Sequence, residues 1–426
     1  MKKKIYLLAI ILFIIGLSLG FYFGSKDNES KSNHEEITID LITMVEHNSD
    51  LKNMLIKSIE KAKEINPDKS TNPVQTLEEY YDYIDWAYKA MPWKILPNVE
   101  DNYPYLFDQI DQGLDYFYFL NDQSLEELEG LGLYNNSIQY YEPYRTWLVS
   151  FIKNYGLYLS TEESWNDDYY KEALKDKSFN LDGDLYEDSS NWHSFNDFFS
   201  RYLSSSDKRP IDSIDDNSIL VSPADSVPQG IWRIDANNNL LGNQYISVKS
   251  GKFSSVSVLL GDSEYKDSFK NGTMTHTFLD VNDYHRYHMP ISGTIKEVNI
   301  IYEDDAIGGV TVWDKTQNRY LLECSEPGWQ MIETRGYVIV ETEEYGLVAV
   351  MPIGMSQVSS VNFEENIKVG AKVNKGDMLG YFLFGGSDII MLFQEGVDVE
   401  LTMDYNSDGT YNHINMGNSY AKLTKK

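Results

Sequence analysis

Three residues spaced widely along the chain could together activate a hydroxyl group for attack on a carbonyl. Asp225 follows Ser222-Pro223-Ala224, His288 lies in a histidine-rich stretch, and Ser387 follows two glycines. A serine hydroxyl is a weak nucleophile until a neighbouring base accepts its proton. A carboxylate commonly holds the imidazole of that base in the required tautomer. The residue types therefore predict a nucleophile at Ser387, a base at His288 and an orienting carboxylate at Asp225.

The two glycines before Ser387 favour an attack within the same chain. Gly385 and Gly386 carry no Cβ, so the backbone there can adopt strained conformations. Such a backbone would allow the Ser387 hydroxyl to reach the carbonyl carbon of Gly386. The predicted target of the serine is therefore the carbonyl carbon one residue before it.

Each of these residues also has an ordinary structural interpretation. A Gly-Gly-Ser tripeptide alone is most often a loop, and an aspartate after a proline, such as Asp225, is common in turns. His285 and His288 could be structural histidines, or a metal-binding pair with Asp283. No further histidine or cysteine stands close enough in sequence to complete a typical zinc site, so we predict no metal.

The composition limits the kinds of partner. The chain has 426 residues, 36 basic and 66 acidic side chains and a formal net charge of −30. Phosphate-rich nucleic acid needs a basic surface, so a nucleic-acid partner is excluded. Attachment to anionic lipid by charge alone is excluded for the same reason. Cys324 is the only cysteine, so no intrachain disulfide can form.

The N-terminus predicts a membrane anchor. Lys2-Lys3-Lys4 precede a run of 19 mainly apolar residues from Ile5 to Phe23. A helix of that length just crosses the hydrocarbon layer of about 30 Å. A cleaved signal peptide is the alternative, with small residues at Ser18-Leu19-Gly20. We predict a transmembrane signal-anchor at 1–24, crossing the cell membrane once, with the body on the extracytoplasmic side.

A polar linker at 25–37 is followed by a predicted helical domain at 38–190. Thr76 and Glu79 form a capping-box pattern before apolar residues at helical spacing, and Pro92 should end that helix. A second helix is predicted around Trp147 to Tyr155, ending at Gly156. The aromatic stripes of both helices are typical of a packing core, with a ligand groove as the alternative.

The remainder, 191–426, is predicted to be a β-rich catalytic domain that begins with one short helix. Its glycine turns between short strands favour a small barrel or sandwich. The fold class is therefore α+β. The runs that predict strands most clearly are Val256–Leu260, Val310–Trp313, Tyr337–Glu341 and Leu347–Met351. Asp404 to Gly409 matches half of a calcium loop, but a β-hairpin explains it better because Asn415 stands where a glutamate is required.

These motifs resemble the phosphatidylserine decarboxylase family. The family's Ser-Pro-x-Asp turn corresponds to Ser222–Asp225, and its Tyr-His-Arg-x-His-x-Pro stretch to Tyr284–Pro290. Its Gly-Ser cleavage pair corresponds to Gly386-Ser387. Its opening Phe-x-x-Phe-Phe-x-Arg segment, with Arg-Pro after it, corresponds to Phe195–Arg201 and Arg209-Pro210.

The resemblance implies a chain that cuts itself between Gly386 and Ser387. Ser387 would become a covalent pyruvoyl cofactor, and the two fragments would stay associated. Phosphatidylserine would form a Schiff base with the pyruvoyl group and lose CO2 to give phosphatidylethanolamine. Asp225, His288 and Ser387 would act in self-cleavage, and His285 would bind the substrate carboxylate or supply a proton.

Two alternatives stay open. The best-known members carry Leu-Gly-Ser-Thr at the cleavage site, whereas this chain places Asp388 directly beside the serine. A Gly-Gly-Ser branch with a long helical N-terminal region includes decarboxylases of free amino acids. The substrate could therefore be an amino acid, or the chain could be an anchored, non-catalytic binding protein. The sequence fixes neither the acyl-chain preference nor the oligomeric state.

Overall fold

The computed structural model describes residues 33–90, 103, 106, 112–241, 246–248, 251–253, 255–302, 310–323, 333–355, 361–384, 386–407 and 409–426. The predicted anchor at 1–24 lies outside these residues, as do most of the linker, Pro92, Cys324, Gly385 and Asp408. Within the described ranges, no helix combines the length and the apolar character needed to cross a membrane.

Eight α-helices are described, most of them in the first half of the chain. They are α1 Glu36–Glu46, α2 Ser49–Ile65, α3 Leu77–Ala87, α4 Gln112–Asn121, α5 Tyr144–Tyr158, α6 Asp167–Ala173, α7 Phe195–Phe199 and α8 Val256–Leu259. Short 3-10 helices occupy Glu126–Leu128, Tyr134–Asn136, Ile138–Tyr140, Glu162–Ser164, Lys177–Phe179, Ser189–Asn191 and Ser206–Lys208. The boundaries of the predicted domains stay predictions.

Local sequence explains where several helices start. The Thr76 hydroxyl accepts a hydrogen bond from the Glu79 backbone before α3, which confirms the predicted cap. Ser194 and Asp197 form a complete capping box on α7. The predicted stop at Gly156 is wrong, because α5 continues to Tyr158 and buries Leu159 directly after it.

Seventeen strands follow from residue 219 onward. They are β1 Ile219–Val221, β2 Val227–Arg233, β3 Ile246–Val248, β4 Gly251–Phe253, β5 Thr273–Leu279, β6 Arg286–His288, β7 Gly293–Ile301, β8 Val310–Asp314, β9 Arg319–Glu323, β10 Arg335–Glu341, β11 Leu347–Met355, β12 Val361–Phe363, β13 Lys372–Val373, β14 Met378–Phe382, β15 Gly386–Phe393, β16 Val397–Leu401 and β17 Ser419–Lys425. The molecule is thus α+β, as predicted.

The described strands form several open sheets, so the barrel, one of the two predicted arrangements, is wrong, while the sandwich stays a prediction. The largest has seven strands in the order β13-β7-β10-β11-β15-β5-β2, and all its described pairings are antiparallel. Two three-stranded sheets have the orders β1-β17-β16 and β12-β14-β6, and two hairpins pair β3 with β4 and β8 with β9. No closed sheet occurs among the described strands.

One predicted strand is wrong. Val256–Leu260 has β-branched residues, yet Val256–Leu259 forms helix α8, with the Ser255 hydroxyl accepting from the Ser257 backbone. Val256, Leu259 and Leu260 are all buried. Their spacing fits one face of a helix, so packing overrides the β propensity of valine.

The helical and β-rich segments share buried contacts. Tyr320 of β9 packs in the same core as the aromatic side chains of α3, α4 and α5. Its hydroxyl accepts from Asn66 and donates to the Thr71 carbonyl, at 2.9 and 2.8 Å.

Near the C-terminus, an antiparallel bridge joins Tyr405 and Tyr411. This bridge fits the predicted hairpin rather than a calcium loop.

Candidate active site

Ser387 lies near the start of a central strand of the seven-stranded sheet. Strand β15 runs between β11 and β5, with Ser387 opposite Gly354 on one side and Leu279 on the other. The side chain of Ser387 is fully buried. Neighbouring strands on both sides therefore fix the backbone at the predicted cleavage site.

The Ser387 hydroxyl has no hydrogen-bond partner among the described residues. A buried hydroxyl without a partner costs about 1–3 kcal/mol, so such groups are rare in folded proteins. An unpaired hydroxyl is nevertheless available for chemistry. Ser387 therefore fits the requirement for a residue that is converted into a buried cofactor.

Asp388 does not share the environment of Ser387. Side chains alternate between the two faces of a strand, and Ile389 and Ile390 accordingly belong to two different hydrophobic cores. Ser387 shares the face of Ile389, whereas Asp388 shares that of Ile390. On that second face Asp388 Oδ1 contacts Nε2 of His276 on β5 at 2.5 Å. The acidic group is thus directed away from the serine hydroxyl.

His288 is held in a defined tautomer on β6. Its Nδ1 donates to the Gly376 carbonyl at 2.9 Å, and its Nε2 accepts from the Tyr284 hydroxyl at 3.1 Å. Burial lowers its pKa, and the hydrogen bond to the Gly376 carbonyl, with a smaller effect of the Asp225 charge, opposes that shift only in part. The ring is therefore a neutral imidazole with its lone pair on Nε2, as a general base requires.

Asp225 is buried against a guanidinium. Arg209 donates from Nε and Nη2 to the two carboxylate oxygens of Asp225, at 3.2 and 2.6 Å. The Met416 backbone N–H donates to Asp225 Oδ1 at 2.7 Å. A two-pronged pair of this kind fixes the carboxylate firmly.

The structure brings the Asp225 turn and His288 together without joining the two side chains by a hydrogen bond. The backbone N–H of His288 donates to the Pro223 carbonyl at 2.8 Å, which places the turn containing Asp225 beside His288. In the same turn, the Ser226 hydroxyl accepts from Thr277 of β5 at 2.7 Å. Among the described residues, however, no hydrogen bond joins Asp225 to His288 or His288 to Ser387. The Gly376 carbonyl sets the tautomer in place of Asp225.

His285 lies in an apolar environment. Its Nδ1 donates to the Asp283 carbonyl at 3.0 Å, and its ring stacks on Phe199 with centroids 3.7 Å apart. Burial, with a smaller effect of the Arg201 charge, lowers the pKa of His285 well below its ordinary value. This ring is therefore also neutral, and its Nε2 can accept a proton.

Helix α7 connects His285 to the segment just before the cleavage site. Asn196 accepts a hydrogen bond from the Phe384 backbone at 2.9 Å. Phe199 packs edge-to-face on Phe384, with centroids 5.2 Å apart, while its ring also stacks on His285. The short helix α7, which was predicted from sequence, thus positions both His285 and Phe384, which lies three residues before Ser387.

Three residues that contact these groups were not assigned a role from sequence. Arg209 binds Asp225, and Tyr284 donates to His288. Arg201 donates from Nη2 to the backbone carbonyls of Asn282 and Asp283, both at 3.0 Å, and so fixes the loop before His285. Arg201 and Arg209 lie in the family-like opening segment, but a sequence does not show which acceptor an arginine reaches.

Residues 195–422 match the family described as phosphatidylserine decarboxylase, and this stretch contains every site residue described above. The chain belongs to the phosphatidylserine decarboxylase family. It is therefore an enzyme of the carboxy-lyase class. The family match begins at helix α7 and ends within β17, so the earlier helices lie outside it.

Individual relatives support this family and differ in their names. The chain is 31% identical over 248 residues to a phosphatidylserine decarboxylase proenzyme of Fusobacterium nucleatum, covering 57% of this chain and 72% of that protein. It is 30% identical over 253 residues to phosphatidylserine decarboxylase proenzyme 2 of Oryza sativa, covering 58% of this chain but only 36% of that protein. It is 28% identical over 279 residues to decarboxylase iboD of Amanita muscaria, covering 59% of this chain and 77% of that protein.

Proposed function

We propose that this protein is a self-processing, pyruvoyl-dependent phosphatidylserine decarboxylase that releases CO2 and forms phosphatidylethanolamine. The buried, unpaired hydroxyl of Ser387 carries the proposal. An ordinary structural serine at that depth would be hydrogen-bonded. A non-catalytic binding protein would need neither this hydroxyl nor a neutral histidine beside the Asp225 turn.

His288 is the base for self-cleavage. Its Nε2 lone pair accepts the Ser387 proton once the Tyr284 hydroxyl gives way, while Gly376 holds the opposite nitrogen. The Ser387 oxygen attacks the Gly386 carbonyl, and the peptide C–N bond breaks to leave an ester. Elimination then frees the Gly386 carboxylate and leaves a dehydroalanine at 387, which hydrolyses to the pyruvoyl group and ammonia.

The pyruvoyl carbonyl supplies an acceptor for the electrons that the departing carboxylate leaves behind. His285 is assigned to proton transfer rather than to binding the substrate carboxylate. Its ring is neutral and its Nδ1–H is already committed to the Asp283 carbonyl, so Nε2 offers a lone pair. His285 can take a proton from the incoming substrate amine and return it to the substrate carbon. Phe199, stacked on the ring, excludes water on that side.

The two fragments are expected to remain together. Residues 387–426 supply β15, β16 and β17. Strand β15 lies between β11 and β5 of the other fragment, and β17 pairs with β1. Separating the fragments would break these ladders and expose the buried side chains of Ile389 to Phe393 to water.

Phosphatidylserine is the substrate that we favour. The apolar run from Ile5 to Phe23 would keep the enzyme at a bilayer, and a soluble amino acid gives no reason for that. Decarboxylation of a free amino acid is the second candidate. It is favoured by the Gly-Gly-Ser site and by similarity to a protein named only as a decarboxylase.

We further propose that the enzyme crosses the cell membrane once and acts on the extracytoplasmic side. The support is the position of Lys2-Lys3-Lys4 before the apolar run. A protease added to intact cells, under conditions in which it reaches the outer face of the cell membrane, should then degrade the part of the protein that follows the apolar run. Protection of the body until the cells are lysed would place it in the cytoplasm instead.

Intact-mass spectrometry of the purified full-length protein tests self-cleavage. We expect a fragment ending at Gly386 and a partner that begins with a pyruvoyl group, whereas Ser387→Ala stays whole. A whole wild-type chain, in detergent and in bilayers alike, would leave the binding protein as the remaining interpretation. Release of CO2 from phosphatidylserine vesicles, and not from free serine, tyrosine or tryptophan, would support the lipid substrate; the reverse would support the amino acid.

A further inference from the structure

Asp388 and His276 form a buried pair on the face of the sheet that Ser387 does not use. His276 Nε2 and Asp388 Oδ1 are 2.5 Å apart, and both side chains are almost completely shielded from solvent. The pair joins β15 diagonally to its neighbour β5. Asp388 lies opposite Phe278, whereas His276 lies opposite Ile390, two residues further along β15. On the face that Ser387 does not use, Asp388 is the first residue of β15 after the cleavage site.

The surroundings of the pair are apolar. Met274, Ile390 and Leu392 belong to the core on this face, and Trp232 lies with its ring centroid 6.2 Å from that of His276. The second carboxylate oxygen of Asp388 has no partner among the described residues. Burial raises the pKa of Asp388, although the contact with His276 opposes the shift. Two well-packed apolar residues would commonly be at least as stable here.

The pair cannot take part directly in the chemistry of Ser387. Adjacent residues of a strand point to opposite faces, so the backbone of β15 separates the Asp388 carboxylate from the serine side chain. Its effect on residue 387 must therefore pass through the position of the strand.

Self-cleavage changes how the beginning of β15 is held. This step of the inference rests on the proposed function. Before the cut, Ser387 is tied covalently to Gly386; after it, residue 387 is a chain end that carries the cofactor. Chain ends fray unless they are tied down, and a shift of one residue would exchange the two faces of the strand. Asp388 is the residue next to that end, and His276 binds it.

We propose that the His276–Asp388 pair is a positioning pair that keeps the cofactor-bearing end of β15 in register after self-cleavage. The buried contact holds residue 388 against β5, and residue 387 consequently stays on the opposite face, toward the core that contains Tyr284. The acidic residue that distinguishes this cleavage site thus acts on the mature enzyme, not on the nucleophile.

Hydrogen exchange of the 387–393 segment, followed by mass spectrometry, tests the proposal in cut and uncut protein. Asp388→Leu removes the acceptor, whereas Asp388→Asn keeps an oxygen for His276. Each is made in the wild-type and in the Ser387→Ala chain. We expect exchange in cut Asp388→Leu to be at least about ten-fold faster than in cut wild type, but changed less than about two-fold when Ser387→Ala prevents cleavage. Asp388→Asn should restore most of the protection.

Turnover gives a second readout. We expect kcat per pyruvoyl group to fall with Asp388→Leu while KM changes little, because the cofactor moves rather than the substrate site. A control is Asp85→Leu, which removes a less buried histidine–aspartate contact, His34–Asp85 at 2.7 Å, in the helical segment. That change should alter neither the exchange of 387–393 nor kcat.

The possible failures can be told apart. A wild-type chain that stays whole overturns the proposed function and this inference with it. A wild type that is cut, with cut Asp388→Leu exchanging like cut wild type, overturns only the positioning role. An Asp388→Leu protein that is never cut would show that the pair acts before cleavage. Exchange of 387–393 that is equally fast in Asp388→Leu with and without Ser387→Ala would show the same. Either result would also overturn the proposal.

Discussion

Nδ1 of His288 donates a hydrogen bond of 2.9 Å to the backbone carbonyl oxygen of Gly376. Because a carbonyl oxygen can only accept, the single proton of the neutral ring lies on Nδ1 and the lone pair on Nε2. A backbone atom therefore performs the task that a carboxylate performs in a typical triad. This arrangement leaves Asp225 free to bind Arg209 instead.

The tautomer and burial of His288 determine the pH dependence of self-cleavage. Burial lowers the pKa of His288, so the ring is already neutral at pH 7. We expect the cleavage rate to be flat from about pH 8 to 7 and to fall only below the ordinary histidine value of about 6.5. Fresh protein from a cold cell-free translation, moved to buffers of different pH and sampled on gels, gives the rate. A rate that still increases between pH 7 and 9 would contradict a neutral His288 base.

Arg209→Met should destabilise the protein and slow self-cleavage. Both partners are largely buried, so removing Arg209 leaves the Asp225 carboxylate without its counter-charge. Breaking a buried pair in this way costs about 3–5 kcal/mol. Urea unfolding of uncut Ser387→Ala protein, with and without Arg209→Met, measures the change in the free energy of unfolding.

Arg233→Met is the matched control for Arg209→Met. Arg233 contacts Asp398 at 3.4 Å in a pair that is nearly half exposed. Exposed pairs contribute about 0–1 kcal/mol, so this change should leave stability and self-cleavage almost unaltered. Equal effects of the two substitutions would show that burial of the Arg209–Asp225 pair has no special importance.

His285 and His288 should fail at different stages. His288→Asn removes the base and should leave the chain whole. His285→Asn should be cut normally, because the His285 ring lies on Phe199 and its described hydrogen bond goes to the Asp283 carbonyl, not to Ser387. The mature His285→Asn enzyme should nevertheless release less than about 1% of the wild-type CO2, the loss expected when an acid–base group is removed. Intact mass and CO2 release on the same samples separate the two stages; a whole His285→Asn chain would contradict the assignment.

Sequence predicts the reacting residues better than it predicts their contacts. Ser387, His288 and Asp225 stand out because the chemistry needs their side chains. The Gly376 carbonyl that orients His288 is a backbone atom, and every residue has one, so no sequence signal marks it. Arg209 is one of many basic residues, and only the fold shows that it reaches Asp225.

The errors in secondary structure have local causes. Val256–Leu259 is a helix because Ser255 caps it and its apolar residues bury one helical face. The sequence does not predict the position of the Asp388 side chain, for a different reason. Once β15 is known to begin at Gly386, the alternation of side chains places Asp388 on one face of the sheet and Ser387 on the other. The sequence, however, does not show where the strand starts.

Asp122 should make the protein less stable as pH increases through the neutral range. It is fully buried, accepts hydrogen bonds from Gln139 and from the Thr311 backbone, and burial raises its pKa to about 8. The folded state therefore keeps a proton that the unfolded state has lost above its ordinary pKa of about 3.9. The stability that this proton contributes is complete below that value and is lost progressively as pH approaches 8.

Asp122→Asn should remove this pH dependence and stabilise the protein by a few kcal/mol at pH 8 relative to wild type, an order-of-magnitude value from the pKa shift. The amide oxygen can still accept from Thr311. Gln139 Oε1 is a buried oxygen that has no partner in the described part of the chain. After rotation of the Gln139 side-chain amide, this oxygen can accept from the new N–H₂ group of Asn at position 122. Urea unfolding of uncut Ser387→Ala protein between pH 5 and 8 measures the effect, with exposed Asp207→Asn as the control. A wild-type chain as stable at pH 8 as at pH 5, or a loss of stability on Asp122→Asn at pH 8, would show that Asp122 is ionised in the folded protein.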